Sequence, residues 1–503
     1  MRSFSSLALL LFSVSAAWAE VALAPLFTDH AVLQCEKPVP VWGRATAGEK
    51  IVVTFRGQTL AATAGADGRW SVTLTPLAAT AEGADLVASG TSTLTLHDVV
   101  VGEVWLASGQ SNMEWPLAKA HNAEKEIAAA NFPLIRHIRI EHAIAGQPAD
   151  TAKTSGWQSA SPATAGVFTA VGYFFARDLH RKLGVPVGII NSSFGGTPIE
   201  SWLSDSTLRG TTAFPAIDAR WQKNLAEFSE RQARYPVECA AWLEAEEKAR
   251  TTHTKNTAPR PRAPVGPGTP YALSGLFNGM IAPLQPGALR GVIWYQGESN
   301  WPRAGEYAEL FPALIRSWRA GWGRDDLPFL FVQLANFADP GDPTGRGWAP
   351  LREAQARALA LPATGMAVTI DIGDAKDIHP TNKQEVGRRL ALIAKATVYG
   401  LATDHAGPTF ASATREKAAL RVRFAHVATG LVAHDRTVQS LELAGADKVF
   451  HPATAKIERG TLLVSSPAVK EPVAVRYAWS NAPVANLYNG SGLPAVPFLS
   501  DNW

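Results

Sequence analysis

The chain has 503 residues, of which 46% are hydrophobic and 18% charged, with a formal net charge of +3. That length exceeds one ordinary core and implies two or three domains, while the composition is that of a soluble globular protein. No lysine-arginine block or basic stripe is present, which argues against nucleic acid as a partner.

The first nineteen residues combine Arg2, an apolar stretch around Leu7 to Phe12, and Ala17-Trp18-Ala19, the small-x-small pattern of a cleavable export signal. Cleavage is expected before Glu20 and leaves a net charge of +2, because Arg2 is the only charge removed. The mature protein is then periplasmic or extracellular. The apolar run is too short to span a bilayer, and no span is expected once the signal is removed. Cys35 and Cys239 are the only cysteines, so this is no disulfide scaffold. An oxidising compartment permits one bond between them, and two isolated thiols are the alternative.

From 39 to 101 the pattern is β, with strands at 50–55, 58–63 and 69–74 separated by Arg56-Gly57 and Ala66-Asp67-Gly68. Short strands at this spacing imply a small sandwich-like module over 20–100. The apolar run Val104-Trp105-Leu106-Ala107 then reads as a buried strand that stops at Gly109.

Beyond it, helices and strands alternate over about 101–400. A helical period covers 172–183 and ends at Gly184, followed by a buried strand at 187–190. Further strands are expected at 291–295, 329–332 and 366–370, with a helix over about 306–318. Thr381 and Gln384 form a capping box for a helix that runs toward Tyr399. This alternation argues for an α/β domain with a parallel sheet covered on both faces. Between 208 and 286 it weakens into a charged helix over 221–250 and a proline-rich stretch over 257–270, which reads as a surface insertion bordering the cleft. Strand-like runs return at 420–424 and 474–479, making 401–503 a C-terminal β-rich region.

Four polar, glycine-bearing stretches follow strands, where open α/β sheets place ligands. Gln110-Ser111-Asn112 puts a hydroxyl at a strand end with free backbone N–H groups after it. Phe194-Gly195-Gly196-Thr197 lets backbone N–H groups approach a ligand closely, so Gly195 or Gly196 can serve an oxyanion. Gln296-Gly297-Glu298-Ser299-Asn300-Trp301 offers a carboxamide donor at Gln296 and a carboxylate at Glu298 able to orient a histidine. In Asp374-Ala375-Lys376-Asp377-Ile378-His379, His379 alone of twelve histidines follows a strand, precedes a capped helix and has acids nearby. A serine, a histidine and a supporting carboxylate are what acyl transfer needs, whatever their order along the chain.

The runs V-W-L-A-S-G-Q-S-N-M-E-W, S-F-G-G-T-P-I-E-S-W, W-Y-Q-G-E-S-N and D-I-H-P-T-N-K-Q-E-V-G-R-R-L resemble the sialate O-acetylesterase family of SGNH-type hydrolases. The likeness extends to Tyr477-Ala478-Trp479-Ser480-Asn481 and covers nearly all of the mature chain. It implies a three-layer α/β/α SGNH-hydrolase domain flanked by N- and C-terminal β-rich modules, and removal of acetyl groups from the hydroxyls of an acetylated glycan. By the same resemblance Ser111 is the nucleophile, His379 the general base, and Gly196 and Gln296 the oxyanion partners. The wider SGNH pattern has an aspartate three residues before the histidine, where this chain has Lys376; the acid is open between Asp377 and Glu298, with the balance toward Asp377. Gln296 stands where that pattern has asparagine. No H-E-x-x-H or C-x-x-C metal motif occurs, and the chemistry requires no metal or other cofactor. Tryptophans beside the motifs (Trp115, Trp202, Trp294 and Trp301) suggest platforms for sugar rings, Trp301 most of all. The competing readings are a non-catalytic glycan-binding protein and an esterase for non-sugar esters.

Overall fold

The computed structural model describes residues 20–435 and 437–503, so the expected export signal at 1–19 lies outside the described residues. A path of seven strands forms the centre: β1 (Thr93–Gly109), β2 (Phe132–Arg139), β3 (Gln158–Ala160), β4 (Val187–Ser193), β5 (Gly291–Tyr295), β6 (Phe329–Val332) and β7 (Thr364–Ala367). Their spatial order is β3-β2-β4-β1-β5-β6-β7, and every adjacent pair is parallel except the edge pair β3 and β2. β4, β5 and β6 are buried at every position, as the near-continuous apolar runs in their sequences require of strands covered on both faces.

Six helices matter to the site: α1 (Ser111–Glu114), α2 (Ala170–Leu183), α3 (Phe214–Thr251), α4 (Ala304–Gly321), α5 (Trp348–Arg357) and α6 (Lys383–Thr397). Trp105 of β1 meets Phe175 of α2 edge-on. Trp294 of β5, level with Ser108 and therefore on the other side of the pleat from Trp105, meets Phe311 and Trp318 of α4. Helices thus cover both faces of the sheet, with α6 packed beside α2 and α5 beside α4. The α2 helix starts at Thr169, whose side chain accepts from Gly172 N–H, and stops at Gly184 in the left-handed conformation. At α6 the cap is Asn382, accepting from Glu385 N–H, rather than the Thr381 expected from the sequence. The shift of one residue brings Lys383 into the first turn as a buried side chain.

From β1 the chain moves outward to β2 and comes back to β4, then continues on the opposite side of β1 through β5, β6 and β7. Such a reversal leaves a crevice beyond the carboxyl ends of the strands. Register sets Ser193, Gly109 and Tyr295 level with one another, so three loops leave the sheet at the same height. Gly109 has φ 133°, and a Cβ there would stand 2.1 Å from the Tyr295 carbonyl oxygen. Only glycine lets the strands close at this point.

The first half of β1 pairs with the antiparallel strand Thr80–Ser89 and with Val32–Gln34, and β1 runs unbroken through position 100. N-terminal strands and the α/β sheet consequently share one strand and one apolar core. A second core lies in the C-terminal β region, around Leu420, Leu443, Val464 and Tyr477. The two parts are joined by Arg352, fully buried, which donates to Leu334 O and Ala335 O on one side and to Ser480 O and Asn481 O on the other. Cys35 is buried, Cys239 half-buried, and both are unpaired. Among the described residues no helix is long and apolar enough to cross a membrane.

Gly109→Ala should lower the thermal unfolding midpoint by an amount corresponding to about 3 kcal/mol, since the added methyl meets backbone and cannot rotate away. Differential scanning calorimetry against the parent chain measures it.

Candidate active site

Ser111 opens α1 directly beyond β1, and its Oγ lies 2.8 Å from Nε2 of His379, 268 residues further on. The imidazole stacks on Trp115 at 5.0 Å between centroids and an interplanar angle of 17°. Burial and the nearby Lys383 charge hold His379 below the ordinary imidazole range, against the opposing pull of Asp377. An imidazole kept neutral beside a serine hydroxyl can accept its proton.

Asp377 Oδ1 lies 3.8 Å from His379 Nδ1 and accepts the His379 backbone N–H at 2.8 Å. It is 58% exposed, so it faces the ring from the solvent side. Glu298 goes elsewhere. Its Oε1 accepts from Asn112 Nδ2 at 2.6 Å, and its Oε2 is buried with no hydrogen-bond partner among the described residues. Burial pushes its carboxyl up, and burial likewise pulls Lys383 down to about 7. Asn112 stands between these two groups: its Oδ1 accepts from Lys383 Nζ at 2.5 Å, while Nδ2 also reaches Ile378 O at 3.0 Å. Of the two carboxylates that the sequence left open, Asp377 is the one in ion-pair range of the imidazole.

At the oxyanion side the two glycines separate. Gly195 N–H donates to Glu114 Oε2 at 2.7 Å, and Glu114 Oε1 also pairs with His142 Nε2 at 2.7 Å. Gly196 has φ 75° and faces open space; its N–H has no hydrogen-bond partner among the described residues. Ser111 N–H, at the first turn of α1, likewise lacks an intrahelical acceptor. The expectation for Gln296 is corrected: it is 0% exposed, with Nε2 committed to Asn300 Oδ1 at 2.8 Å and Thr197 O at 3.2 Å. A group without accessible surface cannot meet a substrate oxygen, so Gln296 braces the loop from inside.

The motif loops are bound to one another by side chains whose role the sequence did not announce. Gln110 Oε1 accepts from Gly297 N–H and Ser299 N–H. Asn300 accepts from Ile199 N–H and donates to Glu200 Oε2. Trp202 and Trp294 are fully buried and cannot serve as sugar platforms, and Trp115 spends one face on His379. Trp301 is half-buried and lines a cavity beside Gly196 and Ser299. The signal that could have found Asn112 and Lys383 is polarity at positions whose neighbours demand burial: Asn112 precedes Met113 in a core turn, and Lys383 falls on the apolar stripe of α6.

Comparison with known proteins bears on this geometry. A family model described as carbohydrate esterase, sialic acid-specific acetylesterase, matches residues 101–258 and 274–395. A sialate O-acetylesterase of Rattus norvegicus is 30% identical over 541 residues, covering 95% of this chain and 94% of its own length. The Homo sapiens sialate O-acetylesterase is 29% identical, covering 98% and 95%. The crystal structure of a carbohydrate acetylesterase from Xanthomonas citri superposes with a TM-score of 0.81 at 40% identity, covering 96% of this chain and 100% of that one. The chain belongs to the sialic acid-specific acetylesterase family of carbohydrate esterases, and it is a carboxylic-ester hydrolase.

Proposed function

We propose that the protein is an exported carbohydrate O-acetylesterase of three-layer α/β/α SGNH type that works through a serine acyl-enzyme. The observation that carries this reading is the 2.8 Å approach of Ser111 Oγ to His379 Nε2 at the carboxyl rim of a parallel sheet. His379 takes the Ser111 proton as Oγ attacks the acetyl carbonyl. The resulting oxyanion is received by the N–H groups of Ser111 and Gly196, and His379 then protonates the departing sugar oxygen. Water, deprotonated by the same imidazole, attacks the acetyl-serine and releases acetate. Asp377 favours the imidazolium that forms in each half-reaction, and Trp115 fixes the plane of the ring. Export rests on the leader pattern of residues 1–19.

Ser111→Ala should reduce acetate release from an acetylated oligosaccharide by about a thousandfold or more. Asp377→Ala should cost only about 10–100-fold, because this carboxylate is exposed and stands 3.8 Å from the ring. Steady-state kinetics on the purified variants compares them, and full activity in Ser111→Ala removes the mechanism. The acid limb of kcat/KM against pH should inflect below the ordinary imidazole value of 6.5, since a lowered pKa keeps the base neutral to lower pH. Lys383→Gln deletes the positive charge that lowers it, so the inflection should move upward. Mass spectrometry of the secreted or periplasmic protein should find Glu20 as its first residue.

A further inference from the structure

Beside the motif loops lies a cavity of about 850 Å³, roofed by α3 and the 257–270 stretch and floored by Gly196, Glu298, Ser299 and Trp301. Its size sits toward the upper end of small-molecule sites, which run from roughly 300 to 1,000 Å³, and leaves room for several sugar rings. Five arginines line it: Arg220, Arg231, Arg260, Arg262 and Arg303. The acids on its wall are Glu200 and Glu298, both buried.

These arginines are unequally compensated. Arg220 is paired bidentately with Glu306, and Arg303 leans on Glu200 and Glu306 at 3.4 and 3.8 Å. Among the described residues Arg231 has only Glu227, at 4.0 Å. Arg260 rests over the Trp242 ring at 5.7 Å, and among the described residues neither it nor Arg262 has a carboxylate in ion-pair range. A guanidinium only donates hydrogen bonds and keeps its charge at any ordinary pH. Uncompensated guanidinium groups around one cavity therefore favour a ligand that carries negative charge. The remaining lining supplies flat apolar surface from Trp221, Tyr235, Tyr271 and Trp301, the kind on which sugar rings lie.

Arg260, Arg262 and Tyr271 fall between 258 and 274, the gap in the match to the family model. They therefore lie outside the segments that the esterase family model matches.

We propose that this cavity is a subsite for an acidic oligosaccharide, in which a sugar bearing a carboxylate lies next to the acetylated residue presented to Ser111. The carboxylate meets Arg260 and Arg262, and the sugar rings rest on Trp301 and Tyr271. The proposal builds on the esterase reading of Ser111 and His379, and the experiment separates the two. Acetate release is measured from acetylated xylo-oligosaccharides with and without a glucuronic acid branch, and from 4-nitrophenyl acetate, which is too small to reach the subsite.

The parent enzyme should favour the charged oligosaccharide in kcat/KM by about tenfold at low salt, as charge-assisted contacts of this kind allow. The preference should enter through KM and shrink as ionic strength rises. In the Arg260→Gln/Arg262→Gln double variant, whose substitutions lie on exposed positions, the charged-to-neutral ratio should fall to about one. Equal kcat/KM for the two oligosaccharides in the parent enzyme, or an unchanged ratio in the double variant, overturns the subsite. Failure of the parent enzyme to hydrolyse even 4-nitrophenyl acetate overturns the esterase reading instead.

Discussion

One buried side chain decides whether the reactive groups meet. Asn112 receives Lys383 Nζ on its oxygen and gives its two N–H bonds to Glu298 and to the carbonyl of Ile378. Those partners belong to the segment after β5, the segment before His379 and the first turn of α6. Asn112 itself is the neighbour of Ser111, so the residue beside the hydroxyl grips the residue beside the imidazole. Hydrogen bonds to ionisable partners of this kind contribute about 1.5–3 kcal/mol each. Loss of the bridge leaves a carboxyl and an amine buried without their common partner, a situation that costs about 3–5 kcal/mol where a charge is stranded. Burial already drives both groups toward their neutral forms, which is how the site keeps a lysine and a glutamate in its floor without a direct contact.

The same logic recurs around the crevice. Glu114 ties the turn after β1 to Gly195, Gln110 ties it to the backbone at 297 and 299, and Asn300 ties the loop after β5 to that after β4. Most polar residues of the motif stretches are consequently brackets, and few face a ligand. Glu114 claims the Gly195 N–H, whereas among the described residues the Gly196 N–H has no hydrogen-bond partner.

What was legible in the chain follows from this division. The strands of the sheet announce themselves as apolar runs, and Ser111 and His379 as the reactive types next to strand ends, because both signals are local. Brackets are not local: Asn112 and Ile378 are 266 positions apart, and nothing within a turn's length of either one encodes the meeting. Gln296 illustrates the converse error. A carboxamide after a strand reads alike whether it turns outward to a ligand or inward to Asn300, and only the packing of the neighbouring loop decides. The length of β1 escaped for a related reason. Its first half alternates and its second half is uniformly buried, so one continuous strand reads as the end of one module and the start of another.

A division of labour between frame and insertion also emerges. The brackets that seat the Ser111 and His379 pair all lie outside residues 208–286. Of that segment the later part, with Leu276, Phe277, Met280 and Ile281, is buried in the shared core rather than on the surface. The insertion instead builds one wall of the adjoining cavity, from a 38-residue helix that buries only Ile217 and Ala249. So sparsely buried a helix adds little to the stability of the core, and its residues are free to vary without loosening the reacting groups. Chemistry held by buried cross-links and selectivity held by an exposed roof can then change independently, since a substitution at Arg260 or Arg262 reaches neither Asn112 nor the ring stacked on Trp115.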